Sequence, residues 1–460
     1  MNTLENIRFH LVENKNKYII LDVDTSTPYI VDKNQNLDTL LKEISNKQKN
    51  LNKDVLEKAT YEDGSNFAIN LNLTPACNLK CTYCFAQGGD YGQQGKLNMD
   101  EDIIPNIEAL IRNNITKSRK VRFEYFGGEP LLNFKLIKKI LDFCDKFSKE
   151  DNIEFIHRIS TNLTVINEEI IDALGKNNFI ISISIDGTRN VQNCLRPFKN
   201  GEGSFDKIME NIKRIREKYP NIKMVARMTL AQKDYSMWDN LKELISTNYF
   251  DYASIYPASI KSEDGSPYKY YFDEEIKQQF EYVLEHYNQL LECSARFKGI
   301  LEVEKILDEI LNGKISVSHC GAGGTYCTIS SDKTIVTCHR LCGKEKYFLN
   351  TSITGKLNQT LKNEWSRKVD DDKICSQCWA KYICGGGCKQ EHISATNEFI
   401  DKNKNSCEYQ KFLIGTILKN IDNLSKNFKE RFISLDDMFV YCGRPTVSNN
   451  RESLELDLKK

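Results

Sequence analysis

An excess of charge of either sign is missing from this chain: 64 Lys and Arg face 64 Asp and Glu over 460 residues. No global basic field therefore recommends a nucleic acid or an anionic membrane as partner. Also missing is an apolar run of about 18 residues or more, the length a membrane-spanning helix needs. The first residues, MNTLENIRFHLVENKNKYIILDVD, lack the apolar core of a secretion signal. These absences lead us to expect a soluble, cytoplasmic protein with neither nucleic acid nor membrane as partner. Internal repeats and long low-complexity tracts are absent as well.

Cysteine is what the chain has in unusual supply, 16 in all. An exported disulfide scaffold would be short and would carry a signal, so that class is excluded. Three cysteines sit at 77–84, four at 320–342 and five at 375–407, with singles at 144, 194, 293 and 442. Tight clusters in a reducing compartment read as metal ligands, and the singles as buried thiols.

From Asn66 to about residue 300, apolar strand-like runs alternate with amphipathic helix-like stretches. The runs are 67–74, 121–128, 154–161, 179–187, 223–230 and 252–259. Strand–helix repetition predicts a parallel sheet with right-handed crossovers. Six units rather than eight predict an incomplete barrel, with its chemistry at the C-terminal strand ends. Ahead of it, a hairpin at 17–32 and a helix at 36–48 form a small ββα unit, followed by a polar linker at 49–66. The expected architecture is α/β: 1–65 the ββα unit, 66–300 a partial (βα)6 TIM-like barrel, 301–412 a cysteine-rich domain, and 413–460 a C-terminal helix with a frayed tail from 448.

Just after the first strand comes ACNLKCTYCFAQGGDYG, with Cys77, Cys81 and Cys84 spaced C-x3-C-x2-C. Iron–sulfur patterns ordinarily supply four cysteines, and a zinc knuckle would want a fourth ligand nearby. The next cysteine is Cys144. The reading that fits is a four-iron cluster with one iron left open to a small molecule, with a zinc or plain structural cluster as the alternative.

With these residues the sequence resembles the radical S-adenosylmethionine (SAM) superfamily, whose signature has this spacing and an aromatic before the third cysteine, here Tyr83. GGEP (127–130) resembles the family's glycine motif, in which the backbone of Gly127 and Gly128, beside Glu129, meets the SAM amino group. STNL (160–163), with Asn162, and SISIDG (182–187), with Ser184 toward the ribose, match further strand ends. Arg196, in CLRPF (194–198), is implied as a bidentate donor to the SAM carboxylate.

Downstream, CSQCWAKYICGGGC (375–388) and Cys407 read C-x2-C-x5-C-x3-C-x18-C, and Cys320 and Cys338 frame an upstream Gly- and Cys-rich stretch. This resembles the SPASM extension, which implies two auxiliary [4Fe-4S] clusters and so three in all. Carried over residue by residue, one takes Cys375, Cys378, Cys384 and Cys407. The other takes Cys320, Cys338, Cys388 and Cys327, with Cys342 competing for the last place; if neither binds, that cluster has an open iron. A zinc ribbon is the alternative. Where the family has a glycine five residues before Cys338, this chain has Lys333, so the turn SDKT must form without it.

CHRLCG (338–343) has His339 where sulfatase maturases carry an Asp proposed as base. With CFAQGGDYG it resembles maturases that form thioethers in cysteine-rich peptides, the sactipeptide, ranthipeptide and six-cysteines-in-forty-five-residues type. The resemblance implies a 5′-deoxyadenosyl radical that removes hydrogen from a peptide carbon, then C–S closure, with His339 as the candidate base. The implied partners are a cysteine-containing precursor peptide and an external electron donor, flavodoxin or ferredoxin. The N-terminal unit suits either leader-peptide docking or a cap on the open barrel. Rival readings are another SPASM peptide oxidation (formylglycine-type, C–C crosslinking or decarboxylation), an iron–sulfur electron carrier, and a zinc-stabilised interaction protein.

Overall fold

A computed structural model of the chain describes residues 2–4, 7–39, 41–42, 67–91, 98–115, 120–231, 236–260, 269–270, 272–350, 356–397, 401–426, 428 and 446–448. At the N-terminus, period-two runs form four strands: β1 (Asn2–Leu4), β2 (Ile7–Glu13), β3 (Lys17–Asp22) and β4 (Thr27–Asp32). They pair antiparallel in chain order. The hairpin at 17–32 is present, and the chain before it adds two strands that the sequence reading did not foresee. The helix expected at 36–48 begins at Leu37 and, like the linker at 49–66, runs into residues outside the described set.

The six expected barrel strands all form: β5 (Phe67–Asn72), β6 (Lys120–Phe126), β7 (Glu154–Thr161), β8 (Ile180–Ser184), β9 (Lys223–Leu230) and β10 (Tyr252–Pro257). They are parallel and neighbour one another in sequence order. The helices between them are amphipathic. Phe134–Asp151 buries Leu136, Ile137, Ile140, Leu141, Cys144 and Phe147 at three- and four-residue spacing and ends on Asn152 at φ 54°, where Asn tolerates a left-handed cap. Each large apolar side chain buried this way contributes about 1.5–3 kcal/mol.

Strand alternation sorts the sheet's two faces. Phe67, Ile69 and Leu71 join Val121, Phe123, Tyr125, Ile181, Ile183, Met224 and Met228 in the main core. The opposite residues are largely polar and buried, among them Asn70, Asn72, Arg122, Glu124, Arg158 and Ser182. Glu124 pairs with Arg158 at 3.2 Å and accepts from Ser160 at 2.5 Å. This polar face lines the barrel interior and opens toward the strand C-termini.

The sheet does not stop at β5. Tyr326–Ile329 (β11) pairs with it in parallel, and Ile335–Val336 (β12) and Phe348–Asn350 (β13) follow antiparallel. The cysteine-rich region is thus continuous with the barrel sheet. Helix Lys404–Lys419 crosses the boundary expected at 412/413, and its Tyr409, Leu413, Ile414 and Ile417 share the main core. Among the described residues no helix is long and apolar enough to cross a membrane. Of the tail from 448, only Ser448 lies within the described set.

Candidate functional site

A cavity of about 260 Å³ opens at the C-terminal ends of β6–β10, the end that the barrel rule names. Cys77, Cys81, Tyr83 and Cys84 line one wall, with Gly127, Gly128, Asn162, Ser184 and Arg196 around them. Cys320, Cys338, His339 and Cys388 line the facing wall. Cys84 on one wall and Cys320 on the other lie 236 residues apart in the chain (320 minus 84), and the strand ends bring them to one place.

Each thiol of the first group has an N–H donor nearby. Asn162 Nδ2 stands 3.9 Å from Cys77 Sγ, Arg196 Nη1 stands 3.9 Å from Cys81 Sγ, and the Gly88 amide donates to Cys84 Sγ at 3.3 Å. Burial pushes the Cys77 thiol up to about 12. It also raises Cys81, against the pull of Arg196. Metal binding must therefore release protons from these sulfurs.

Gly127 and Gly128 explain why the loop can lie so close. A Cβ on Gly127, at φ 140°, would meet Thr74 O at 2.5 Å, and one on Gly128 would meet Ala76 O at 2.3 Å. Only glycine allows this backbone contact. Three half-buried thiols, N–H donors and a backbone cradle fit an iron–sulfur cluster with a polar small molecule beside it. Among the described residues no three His, Cys, Asp or Glu side chains stand close enough to hold a single ion.

Two implied residues are engaged differently from the sequence expectation. Arg196 gives Nε and Nη2 to Asp186, at 2.8 and 3.1 Å, and lies over the Tyr83 ring at 5.0 Å. Burial works against its charge, but Asp186, Tyr83 and Cys81 hold it fully protonated. Its bidentate fork is thus occupied by Asp186, and Nη1 is the edge turned toward Cys81. Tyr83 donates its hydroxyl to the same Asp186. Glu129 does not line the cavity at all: it is fully buried and accepts from Leu131 N, Thr161 Oγ1 and Asn162 N at 3.0, 2.6 and 2.7 Å. It ties the end of β6 to the end of β7, and burial raises its pKa to about 7.

The auxiliary cysteines fall into two groups. Cys320 and Cys338 are buried and Cys388 is half-buried; burial, with Cys320 and Cys342 adding to it, pushes the Cys338 thiol up to about 12, and burial, with Glu391, Cys338 and Cys320, raises Cys388. Cys375, Cys378, Cys384 and Cys407 form the second group, linked in the same way. Their loop turns through Gly385, Gly386 and Gly387, all at positive φ of 69–88°, where a Cβ on Gly385 would strike Ser318 C at 2.6 Å. Asp372 Oδ1 accepts from the Cys375 amide at 2.8 Å and Lys402 pairs with Asp372 at 2.9 Å.

Cys327 is separated from the upstream group. On β11, Tyr326 faces the cavity, so Cys327 faces the other way, beside Ile69 and Ile329 in the main core. Period-two alternation is the cause. Cys342, by contrast, follows Cys338 after one 3-10 turn, is 5% exposed, and receives Asn72 Nδ2 at 3.7 Å.

His339 is packed rather than poised. Its ring lies 4.7 Å from Phe126, and Nδ1 shares a 3.0 Å hydrogen bond with Tyr326 OH. Burial, with Arg340 and Arg227 nearby, lowers its pKa to about 3. An imidazole this weakly basic does not retain a proton near neutrality, which argues against the base role. Lys333 takes the left-handed conformation, φ 66°, that the missing glycine would have supplied, and its ammonium pairs with Asp102 and, at 3.2 Å, with Asp100.

The sequence reading passed over Asp186, Arg227, Thr229, Tyr256 and Arg340. Asp186 sat within the quoted SISIDG. Arg340 sat within the quoted CHRLCG and stacks over Phe85 at 5.1 Å, whereas Arg227, Thr229 and Tyr256 carry no motif and are visible only because strand ends converge.

Residues 71–245 match the model of the Radical SAM superfamily. Over 142 residues the chain is 37% identical to an uncharacterised protein of Methanocaldococcus jannaschii, a match covering 31% of this chain and 46% of that protein. It is 27% identical over 353 residues to a cysteine-type anaerobic sulfatase-maturating enzyme of Clostridium novyi, covering 70% of this chain and 88% of the relative. It thus spans less than half of the first relative and most of the second. Among solved structures, native anSMEcpe with bound AdoMet superposes at a TM-score of 0.65 with 18% identity, covering 78% of this chain and 99% of that one. Streptococcus suis SuiB bound to precursor peptide SuiA superposes at 0.54 with 17% identity, covering 88% and 99%. At such identities the structural likeness speaks for the fold. Residues 71–245 thus match the radical SAM superfamily, and the three-cysteine strand-end loop and the cysteine-rich extension agree with the likeness to radical SAM peptide maturases of the SPASM type.

Proposed function

We propose that this enzyme modifies a cysteine-containing precursor peptide, joining a cysteine sulfur to an unactivated carbon as a thioether. The observation that carries this reading is the shared cavity, with Cys77, Cys81 and Cys84 on one wall and Cys320, Cys338 and Cys388 on the other. A peptide seated between them would face both groups. The coarser part of the reading, a radical SAM enzyme acting on peptide or protein, is supported by the sulfatase-maturating relative and by SuiB with its bound precursor.

SAM and [4Fe-4S] clusters are the cofactors that these thiols fit, and when bound they supply a radical able to remove a hydrogen atom from an unactivated carbon. The chain's own residues do the remaining work. Cys77, Cys81 and Cys84 would hold the first cluster with one corner open, and the bare backbone at Gly127 and Gly128 leaves room beside it. Asn162, Ser184 and the Nη1 edge of Arg196 offer polar contacts in the same cavity. Cys320, Cys338 and Cys388 would hold one auxiliary cluster, and Cys375, Cys378, Cys384 and Cys407 the other.

A thioether replaces one C–H and one S–H bond by one C–S bond, so the peptide loses two hydrogens, that is, two protons and two electrons. One electron leaves with the abstracted hydrogen atom. The thiol proton would pass to solvent, and a cluster held by the auxiliary cysteines would supply the acceptor for the second electron. A flavodoxin or ferredoxin would supply the electron that starts each turnover.

Incubation with a cysteine-containing precursor should lower the peptide's mass by two hydrogens per crosslink and block thiol alkylation at the same positions. Retained alkylation of every cysteine would overturn the thioether reading. A formylglycine-type oxidation is the second reading, favoured by the sulfatase-maturating relative. It would remove the cysteine sulfur, which the same mass measurement distinguishes.

A further inference from the structure

The N-terminal sheet does not stand apart, and none of its described residues lines the cavity. Its strand β2 meets the loop that carries Cys375 and Cys378. Arg8 Nη1 donates to the carbonyl of Ser376 at 2.7 Å, between the two cysteines. Two residues along the strand, the His10 ring stacks on Trp379, which directly follows Cys378, with centroids 3.7 Å apart and planes 8° from parallel. Both anchors come from more than 360 residues earlier in the chain.

Further contacts fix these anchors. Asp24, just after β3, holds the Arg8 guanidinium. It also reaches Lys381 at 3.9 Å, and Lys381 pairs with Asp370 at 2.8 Å. Tyr382 donates to Asp370 at 2.9 Å. The far end of the sheet is tied to the C-terminal helices, with Asn14 Nδ2 donating to Lys419 O at 2.8 Å and Lys17 pairing with Asp422 at 2.6 Å. Burial holds the His10 imidazole uncharged, lowering its pKa to about 4, so the stack is one neutral ring on another.

We propose that Arg8 and His10 are positioning residues for the downstream cysteine group, and that the N-terminal sheet is the outer wall of the auxiliary cluster held there. The inference rests on Cys375, Cys378, Cys384 and Cys407 holding a cluster. Net charge, hydrogen bonding and solvent exposure set the potential of such centres. Arg8 governs the first two at this loop, and the His10–Trp379 stack governs the third.

The test uses full-length protein purified anaerobically, without peptide. Wild type should carry about twelve irons, three four-iron clusters. Arg8→Ala and His10→Ala should fall toward about eight, while peptide-independent SAM cleavage is retained. Arg8→Lys and His10→Phe, which preserve the charge and the stacked ring respectively, should recover most of the iron. In chemically reconstituted Arg8→Ala, an EPR-monitored titration should show one cluster shifted to lower potential and the others unmoved. A full iron complement with unchanged EPR potentials in both alanine variants overturns the proposal. So does a lower melting temperature with normal iron in the folded fraction, which would mark a purely stabilising contact. Wild type carrying only about eight irons would instead show that the downstream cluster assignment itself has failed.

Discussion

The arrangement around Asp186 shows how much of this site depends on one buried carboxylate. It accepts from Arg196, from Tyr83 and from the Thr229 amide at 2.9 Å. Asp186→Asn would leave the Arg196 guanidinium buried without its counter-charge, a change that costs about 3–5 kcal/mol. The expected outcome is a lower denaturation midpoint together with weakened SAM binding in equilibrium dialysis. Glu129 gives a pH prediction. Its folded pKa, raised to about 7 from 4.5, means that the folded state binds more protons than the unfolded state between those values. Its contribution to stability is present below about 4.5 and is lost as pH rises through about 7. Urea unfolding at pH 5, 6 and 7.5 should show this fall in wild type, and the slope should be shallower in Glu129→Gln.

Strand β11 illustrates a different control. A one-residue step along a strand exchanges the two faces of a sheet, so adjacent Tyr326 and Cys327 have unrelated surroundings. We expect Cys327→Val to leave the iron content unchanged and to alter stability by less than about 1.5 kcal/mol, since the replacement is apolar and of similar size. Loss of iron in that variant would return Cys327 to the ligand set. The SDKT turn makes the complementary point. The glycine is missing, yet the turn forms, because Lys333 accepts the left-handed conformation and two carboxylates hold its ammonium. A residue other than glycine thus holds the left-handed conformation in this turn.

Over the whole molecule, the three cysteine groups divide between two places. The first and the upstream auxiliary groups share one cavity, and the downstream group sits behind the N-terminal sheet. That division predicts different phenotypes. Cys84→Ala should abolish SAM cleavage, read as loss of 5′-deoxyadenosine. Cys378→Ala should keep some uncoupled cleavage while losing peptide product. Normal product from Cys378→Ala would show that the downstream group is not an essential electron outlet.

Much of this protein was legible in the sequence. Six parallel strands were readable because period-two runs alternate with helical periodicity, and their boundaries agree with the structure to within a few residues. The cysteine spacings, GGEP and SISIDG were readable because loops at strand ends keep their functional residues close together in the chain. Tertiary structure decided the rest. It set which face Cys327 occupies, that Glu129 braces two strand ends, that Asp186 occupies the Arg196 fork, and that β2 packs on the loop of Cys375 and Cys378. Each of these is a contact between segments far apart in sequence, and local periodicity carries no record of which distant partner a side chain will meet.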